Sequence, residues 1–98
     1  MSKYTLSKKA SDDLINIFQY TYKNFNISQA ESYLLELETC FIMLSNEPEL
    51  AHRVEDIRKD YFRYLFRKHA VYFKSRENDI FIVRVIHQQM KYELHLTS

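Results

Sequence analysis

The sequence predicts an α+β fold: a short first strand, an antiparallel two-helix hairpin, then a three-stranded antiparallel sheet packed on that hairpin. Three observations predict it. Apolar side chains between residues 10 and 44 recur at the three-and-four spacing of amphipathic helices. From residue 62 to 86 they alternate at the period of two that marks strands. The strand-forming stretches follow one another through short links, which favours antiparallel neighbours, and segregated helices and strands make an α+β layer pair.

Each element has its own warrant. Lys3–Leu6 reads as a strand with Tyr4 and Leu6 on one face. Ser7 or Ser11 supplies the oxygen that caps the first helix. Leu14, Ile17, Phe18, Thr21, Tyr22 and Phe25 form that helix's apolar stripe, which ends near Asn24–Asn26. Ser28-Gln29-Ala30-Glu31 has the form of a capping box. A second stripe follows at Ala30, Tyr33, Leu34, Leu37, Phe41 and Leu44. It must stop ahead of Pro48, because the residue before a proline avoids helical angles. Residues 49–60 look irregular and charged. Phe62–Phe66, His69–Lys74 and Ile80–Ile86 are the sheet strands, with Ser75–Asp79 as a turn. In the last strand Phe81, Val83 and Val85 are expected to face the helices and Arg84 the opposite, basic face.

Composition narrows the function. Ninety-eight residues make one domain, residues 1–98, with a modest core to which eight Tyr and seven Phe bring large apolar area. The chain has no Gly, so a phosphate-cradling glycine loop is excluded and turns must use other residues. Residues 1–50 carry four Lys against seven acids, a net −3; residues 51–98 carry ten Lys and Arg against six acids, a net +4. All the arginines lie in the second half, which is therefore the expected contact surface for carboxylate or phosphate. Cys40 has no cysteine partner and sits among apolar residues, as a small core residue does. No apolar run approaches the roughly 20 residues of a membrane span, and no apolar leader opens the sequence. A cytoplasmic protein without membrane association is the expectation.

Little catalytic chemistry is visible. His52, His69, His87, His95 and Cys40 show no zinc-finger or HExxH spacing, so neither a metal nor another cofactor is expected. No serine or cysteine stands where a nucleophile would. Acid–base cleavage of RNA needs only a base, an acid and cations around the phosphate; His87 with Arg84, Arg63, Arg67 and Lys68 is the one set that fits. Eight basic residues between Arg53 and Arg76 are interleaved with aromatics. That mixture suits single-stranded nucleic acid, but the period of two reads more simply as aromatics turned inward and cations outward. An acidic protein segment would serve such a face equally well.

Several stretches resemble one family. Leu6-Ser7-Lys8-Lys9-Ala10 with Asp13-Leu14 and Ile17, then Ala30, Tyr33, Leu37, Phe41, Leu44 and Glu47-Pro48, then Val83-Arg84-Val85-Ile86-His87-Gln88-Gln89-Met90 are similar, in order, to the RelE/ParE toxin superfamily, and in detail to its ParE branch. The chain departs from the family where Gln88 and Gln89 replace a usual basic residue. The resemblance implies the toxin of a type II toxin–antitoxin system that inhibits DNA gyrase, and so replication. It implies neutralisation by a ParD-like antitoxin in a hetero-oligomer, with no catalysis or direct nucleic-acid binding by the toxin alone. The target-binding residues would be Arg63, Arg67, Arg84, His87, Gln88, Gln89 and Met90. The antitoxin would contact Tyr33, Leu34, Leu37, Arg58, Arg63 and Arg67. The alternative within the superfamily is a ribosome-dependent messenger RNA endonuclease using His87, Arg84 and Tyr92; a non-toxic antitoxin-binding relative is the third reading.

Overall fold

The computed structural model describes residues 3–55 and 59–89. β1 (Tyr4–Leu6) leads into α1 (Lys8–Asn24) and α2 (Ile27–Asn46). A single 3-10 turn (Pro48–Leu50) then precedes β2 (His52–Arg53), β3 (Tyr61–Phe66), β4 (His69–Ser75) and β5 (Ile80–His87). One sheet takes all the strands in the order β1-β5-β4-β3-β2. The predicted three-stranded antiparallel unit is its centre. β1 extends it by pairing parallel to β5, from Tyr4 opposite Ile80 to Leu6 opposite Ile82. On the other side β2 pairs antiparallel with β3 at Phe62 and Arg63, inside a stretch that sequence alone leaves irregular.

Helix starts follow local chemistry. Ser7 caps α1: its oxygen accepts from Ala10 N at 2.9 Å and its hydroxyl donates to Val83 O at 2.7 Å. One side chain thus starts the helix and ties it to β5. The cap of α2 is Asn26 rather than the Ser28 capping box. Asn26 holds the extended backbone that a cap requires and accepts from Gln29 N at 2.8 Å, which leaves Ser28 inside the first turn. The helices pack on each other across the short link at Phe25-Asn26, and α2 ends before Pro48 as expected.

The main core lies between hairpin and sheet. Leu37, Phe41 and Leu44 of α2 meet Val71, Phe73, Ile80, Ile82 and Val85, with Phe62, Tyr64 and Phe66 packed on their margin. The second face is less polar than predicted: Val54, Tyr61, Ala70, Tyr72 and Ile86 form a smaller buried cluster there, joined by Val83. A β-bulge also interrupts β5. Tyr72 stands opposite Arg84 but Phe73 stands opposite Ile82, so Val83 is an extra residue in β5. The inward set is therefore Ile80, Ile82 and then Val85, not Phe81, Val83 and Val85.

Interleaved cations and aromatics resolve into packing. The Arg53 guanidinium lies 5.4 Å from the Phe62 ring centroid, Arg67 5.6 Å from Phe66, and Arg76 4.8 Å from Phe81. Phe62 and Phe66 also pack on the main core. Rings engaged in this way do not present open faces to nucleic-acid bases.

Candidate functional site

A cleft of about 1040 Å³ is enclosed by the helical hairpin and by the ends of β4 and β5. Val85, His87 and His69 reach it from the sheet, Asp13, Ile17 and Tyr20 from α1, and Tyr33 and Glu36 from α2. Arg67 and Lys68 stand at its rim. The strand period places the two histidines. His69 is two residues before Val71 and His87 two after Val85, so both share the inward face of those core residues.

Asp13 organises the α1 wall. Because β1 stops at Leu6, the edge of β5 beyond Ile82 lacks a strand partner among the described residues. Residues around the start of α1 replace one. Ser7 N donates to Ile82 O at 2.9 Å, and Val85 N donates to Asp13 Oδ2 at 2.9 Å. The Arg84 guanidinium closes on the same carboxylate, Nε to Oδ2 and Nη2 to Oδ1, each at 2.8 Å. The two side chains are only 13% and 10% exposed. Hydrogen bonds from Arg84 to Asp13 hold the guanidinium pKa above its ordinary value. Arg84 stands opposite Tyr72, on the expected side of the sheet, but its side chain turns round the sheet edge to α1 and does not project from that face.

Next to this pair, Tyr33 Oη and His69 Nδ1 are 2.7 Å apart. His69 and His87 are partners across β4 and β5, with ring centroids 5.6 Å apart. Burial pushes His69 down to about 4; His87 and Lys68 act in the same direction and Asp13 opposes them. His69 is thus a neutral imidazole at pH 7. Burial likewise raises the Tyr33 phenol. The His87 Nδ1 accepts a long bond, 3.2 Å, from Gln89 N.

At the rim, Arg67 takes a left-handed backbone with φ 53°, a conformation that glycine would adopt at less cost. Gln88 grips that turn twice, its N–H donating to Lys68 O at 2.8 Å and its side-chain amide to Arg67 O at 2.5 Å. The Arg67 guanidinium stands 2.9 Å from Glu36 Oε1, a charge contact without hydrogen-bond geometry. Behind Glu36 a second groove of about 450 Å³ runs between α2 and β3, lined by Leu35, Thr39, Met43, Tyr64 and Phe66.

Comparison with known proteins places the chain in a family. Residues 4–92 match the family described as ParE toxin of type II toxin-antitoxin system, parDE. The chain belongs to the ParE toxin family. It is 31% identical over 96 residues to Toxin ParE1 of Caulobacter vibrioides, covering 98% of this chain and 99% of that one. Toxin ParE1 of Mycobacterium tuberculosis is also 31% identical over 96 residues, covering 97% and 98%. Among solved structures, a chain of the chromosomal ParDE toxin–antitoxin system from P. aeruginosa superposes with a TM-score of 0.74 at 16% identity, covering 89% of this chain and 96% of that one. That likeness supports the fold.

In this ParE-family chain the residues singled out by sequence divide into separate groups. Arg84, Arg67, His87 and Gln89 line the same cleft as Tyr33, and Gln88 holds the turn beside it. Arg63 does not join them: it lies on β3 opposite Tyr72 and beside His52, with its buried Nε lacking a hydrogen-bond partner. Leu34 is half-buried. Leu37 has no exposed surface and belongs to the core, so it offers a partner nothing, whereas Leu35, one turn-face away, is 64% exposed. The helical stripe read from sequence named Leu34 and Leu37 and passed over Leu35. Arg58, Met90 and Tyr92 lie outside the described residues. Cys40 is buried and its thiol is pushed up to about 11 by burial, as befits a core residue.

Asp13, His69 and Glu36 received no role in the site from sequence, although His69 was weighed as a metal ligand and Asp13 belongs to the family-like opening motif. Asp13 did leave a signal: an acid in register with Ala10 and Ile17 on an apolar helical stripe needs a buried partner. Among the described residues no three His, Cys, Asp or Glu side chains gather as a metal set, and no helix there is long and apolar enough to cross a membrane.

Proposed function

We propose that this toxin acts by binding DNA gyrase and not by cutting RNA, and that a ParD-like antitoxin holds it inactive in the cytoplasm. One observation carries the choice between binding and cleavage. Arg84, a cation a nuclease would place on a phosphate, is committed to Asp13, while Arg67 keeps an exposed charge contact with Glu36. Among the described cleft residues Lys68 is left as the cation without an ion pair. A phosphoryl-transfer transition state needs preorganised positive charge where its own charge develops, and a structural Arg–Asp fork cannot supply that without breaking. Purified protein should block gyrase supercoiling and leave a translated message intact in primer extension. Cleavage of that message, lost in His87→Ala, would reverse the assignment.

The antitoxin contact follows from the exposed α2 surface. Leu35 and Ile42 are exposed beside the α2–β3 groove. β2 pairs with β3 at Phe62 and Arg63, so among the described residues the β3 edge from Tyr64 to Phe66 has no strand partner next to that groove. Exposed Arg53 and Arg67 flank it. An extended acidic segment added to that edge, with an amphipathic helix on α2, satisfies both features. Leu35→Asp should abolish co-purification with the antitoxin and leave the fold intact; undiminished co-purification would remove this surface from the proposal.

A further inference from the structure

We propose that His69 and His87 form a two-imidazole site for an exchangeable divalent transition-metal ion of the Zn²⁺, Ni²⁺ or Cu²⁺ class, on the sheet side of the cleft. The two residues are direct partners across β4 and β5, and both rings line the cleft. Their centroids are 5.6 Å apart with the planes at 73°. Metal–nitrogen bonds of about 2.0–2.1 Å in tetrahedral geometry put two imidazole centroids about 5.2 Å apart. The rings therefore need to close by about 0.4 Å, which side-chain torsions supply without moving either strand.

The surroundings suit coordination through Nε2. Tyr33 Oη already holds His69 at Nδ1. A bond to the remote ring nitrogen is how proteins orient ligating histidines, and it leaves Nε2 for the ion. On His87 the remote nitrogen contacts Gln89 N at 3.2 Å. Coordination at Nε2 moves the ring proton to Nδ1, and the exposed Gln89 N–H turns to water. The cleft also carries the Asp13 and Glu36 carboxylates against Arg67, Arg84 and Lys68, so its net positive charge is small and opposes a cation only weakly. Because the described residues bring no third strong ligand, the remaining positions belong to water. That makes the ion exchangeable, and imidazole ligation favours these metals over Mg²⁺ or Ca²⁺. The spacing of His69 and His87 in sequence matches no zinc motif; strand register alone makes the pair.

Isothermal titration of untagged, metal-stripped full-length protein with NiCl₂ and with ZnCl₂ tests this. The expected result is one equivalent bound by the wild type and by the His52→Gln/His95→Gln double variant. Affinity should fall at least tenfold in His87→Gln and in His69→Gln. NMR adds a signature: substoichiometric Ni²⁺ should broaden the His69 and His87 ring protons ahead of those of His52 and His95. Unchanged affinity in folded His87→Gln would overturn the proposal, as would loss of the site in the His52→Gln/His95→Gln variant or the absence of wild-type binding. Should His69→Gln fail to fold, His87→Gln and the broadening pattern decide. Neither readout depends on gyrase, so the outcome is independent of the proposed target.

Discussion

Removing the Asp13 carboxylate should unfold this toxin more readily than any other single charge deletion among the described residues. In Asp13→Ala, Val85 N and two Arg84 nitrogens lose their acceptor together. The guanidinium, with only 13% of its side chain exposed, loses the Asp13 carboxylate. Breaking one side of a buried ion pair costs about 3–5 kcal/mol; the residual exposure puts this pair at the lower end, about 3 kcal/mol. Domains of this size lose about 4–8 °C per kcal/mol, so the melting temperature should drop by roughly 12–24 °C. The partner change separates charge from packing. Asp13→Leu/Arg84→Met removes both charges and should recover most of the loss, except for roughly 1–3 kcal/mol for the orphaned Val85 N–H. Urea denaturation at pH 7 of wild type, Asp13→Leu, Arg84→Met and the double variant forms the required cycle. A loss below about 1 kcal/mol in Asp13→Ala, or strict additivity of the two single changes, would refute the view that this fork locks α1 to β5.

Other expectations can be checked with the same protein. Leu37→Ala should cost about 2–5 kcal/mol in denaturant because it empties a fully buried site, while Leu35→Ser should stay within about 0.5 kcal/mol and weaken only antitoxin capture. The His69 ring, followed by NMR in metal-free buffer, should titrate near pH 4 and not near 6.5. Since its folded pKa is depressed, the unfolded chain binds the extra proton between these values. The stability that neutral His69 contributes is thus complete above pH 6.5 and is lost as pH falls toward 4, by about 1–3 kcal/mol after allowance for partial exposure. His69→Asn should flatten that dependence. Arg67→Gly should raise stability by about 0.5–1 kcal/mol by relieving the left-handed backbone, less whatever the exposed contact with Glu36 contributes, whereas Arg67→Val should lower it.

Local pattern made the elements legible. The α2 stripe, the stop before Pro48 and the alternation of Phe62, Tyr64 and Phe66 all depend on neighbours within a few residues and stand in the structure as read, whereas Tyr22 and Phe25 of the α1 stripe are exposed. Motif order also pointed to the family before any coordinates. The α2 cap was misassigned because Ser28 and Asn26 both carry competent oxygens, and only backbone angles choose between them. The inward set of β5 was misread for a different reason: nothing in Ile80–His87 announces the bulge at Val83, and one inserted residue inverts the faces of everything beyond it.

The site was legible only in part. Arg67, Arg84, His87 and Gln89 were recognised as polar groups worth explaining, and they do share one cleft with Tyr33. Their roles depended on partners far away in sequence: Asp13 for Arg84, Glu36 for Arg67, and His69 for His87. Sequence by itself determined the order and type of the elements other than β2 and the 3-10 turn, the absence of a glycine phosphate loop and the ParE family. Tertiary structure decided which arginines are committed, which leucine is buried and which histidines meet. The division is physical. Helix and strand periodicity arise from steric and hydrogen-bonding rules acting between near neighbours, so they are written in short windows of sequence. The state of a charge depends on burial and on a counter-charge that only chain closure brings within about 3 Å.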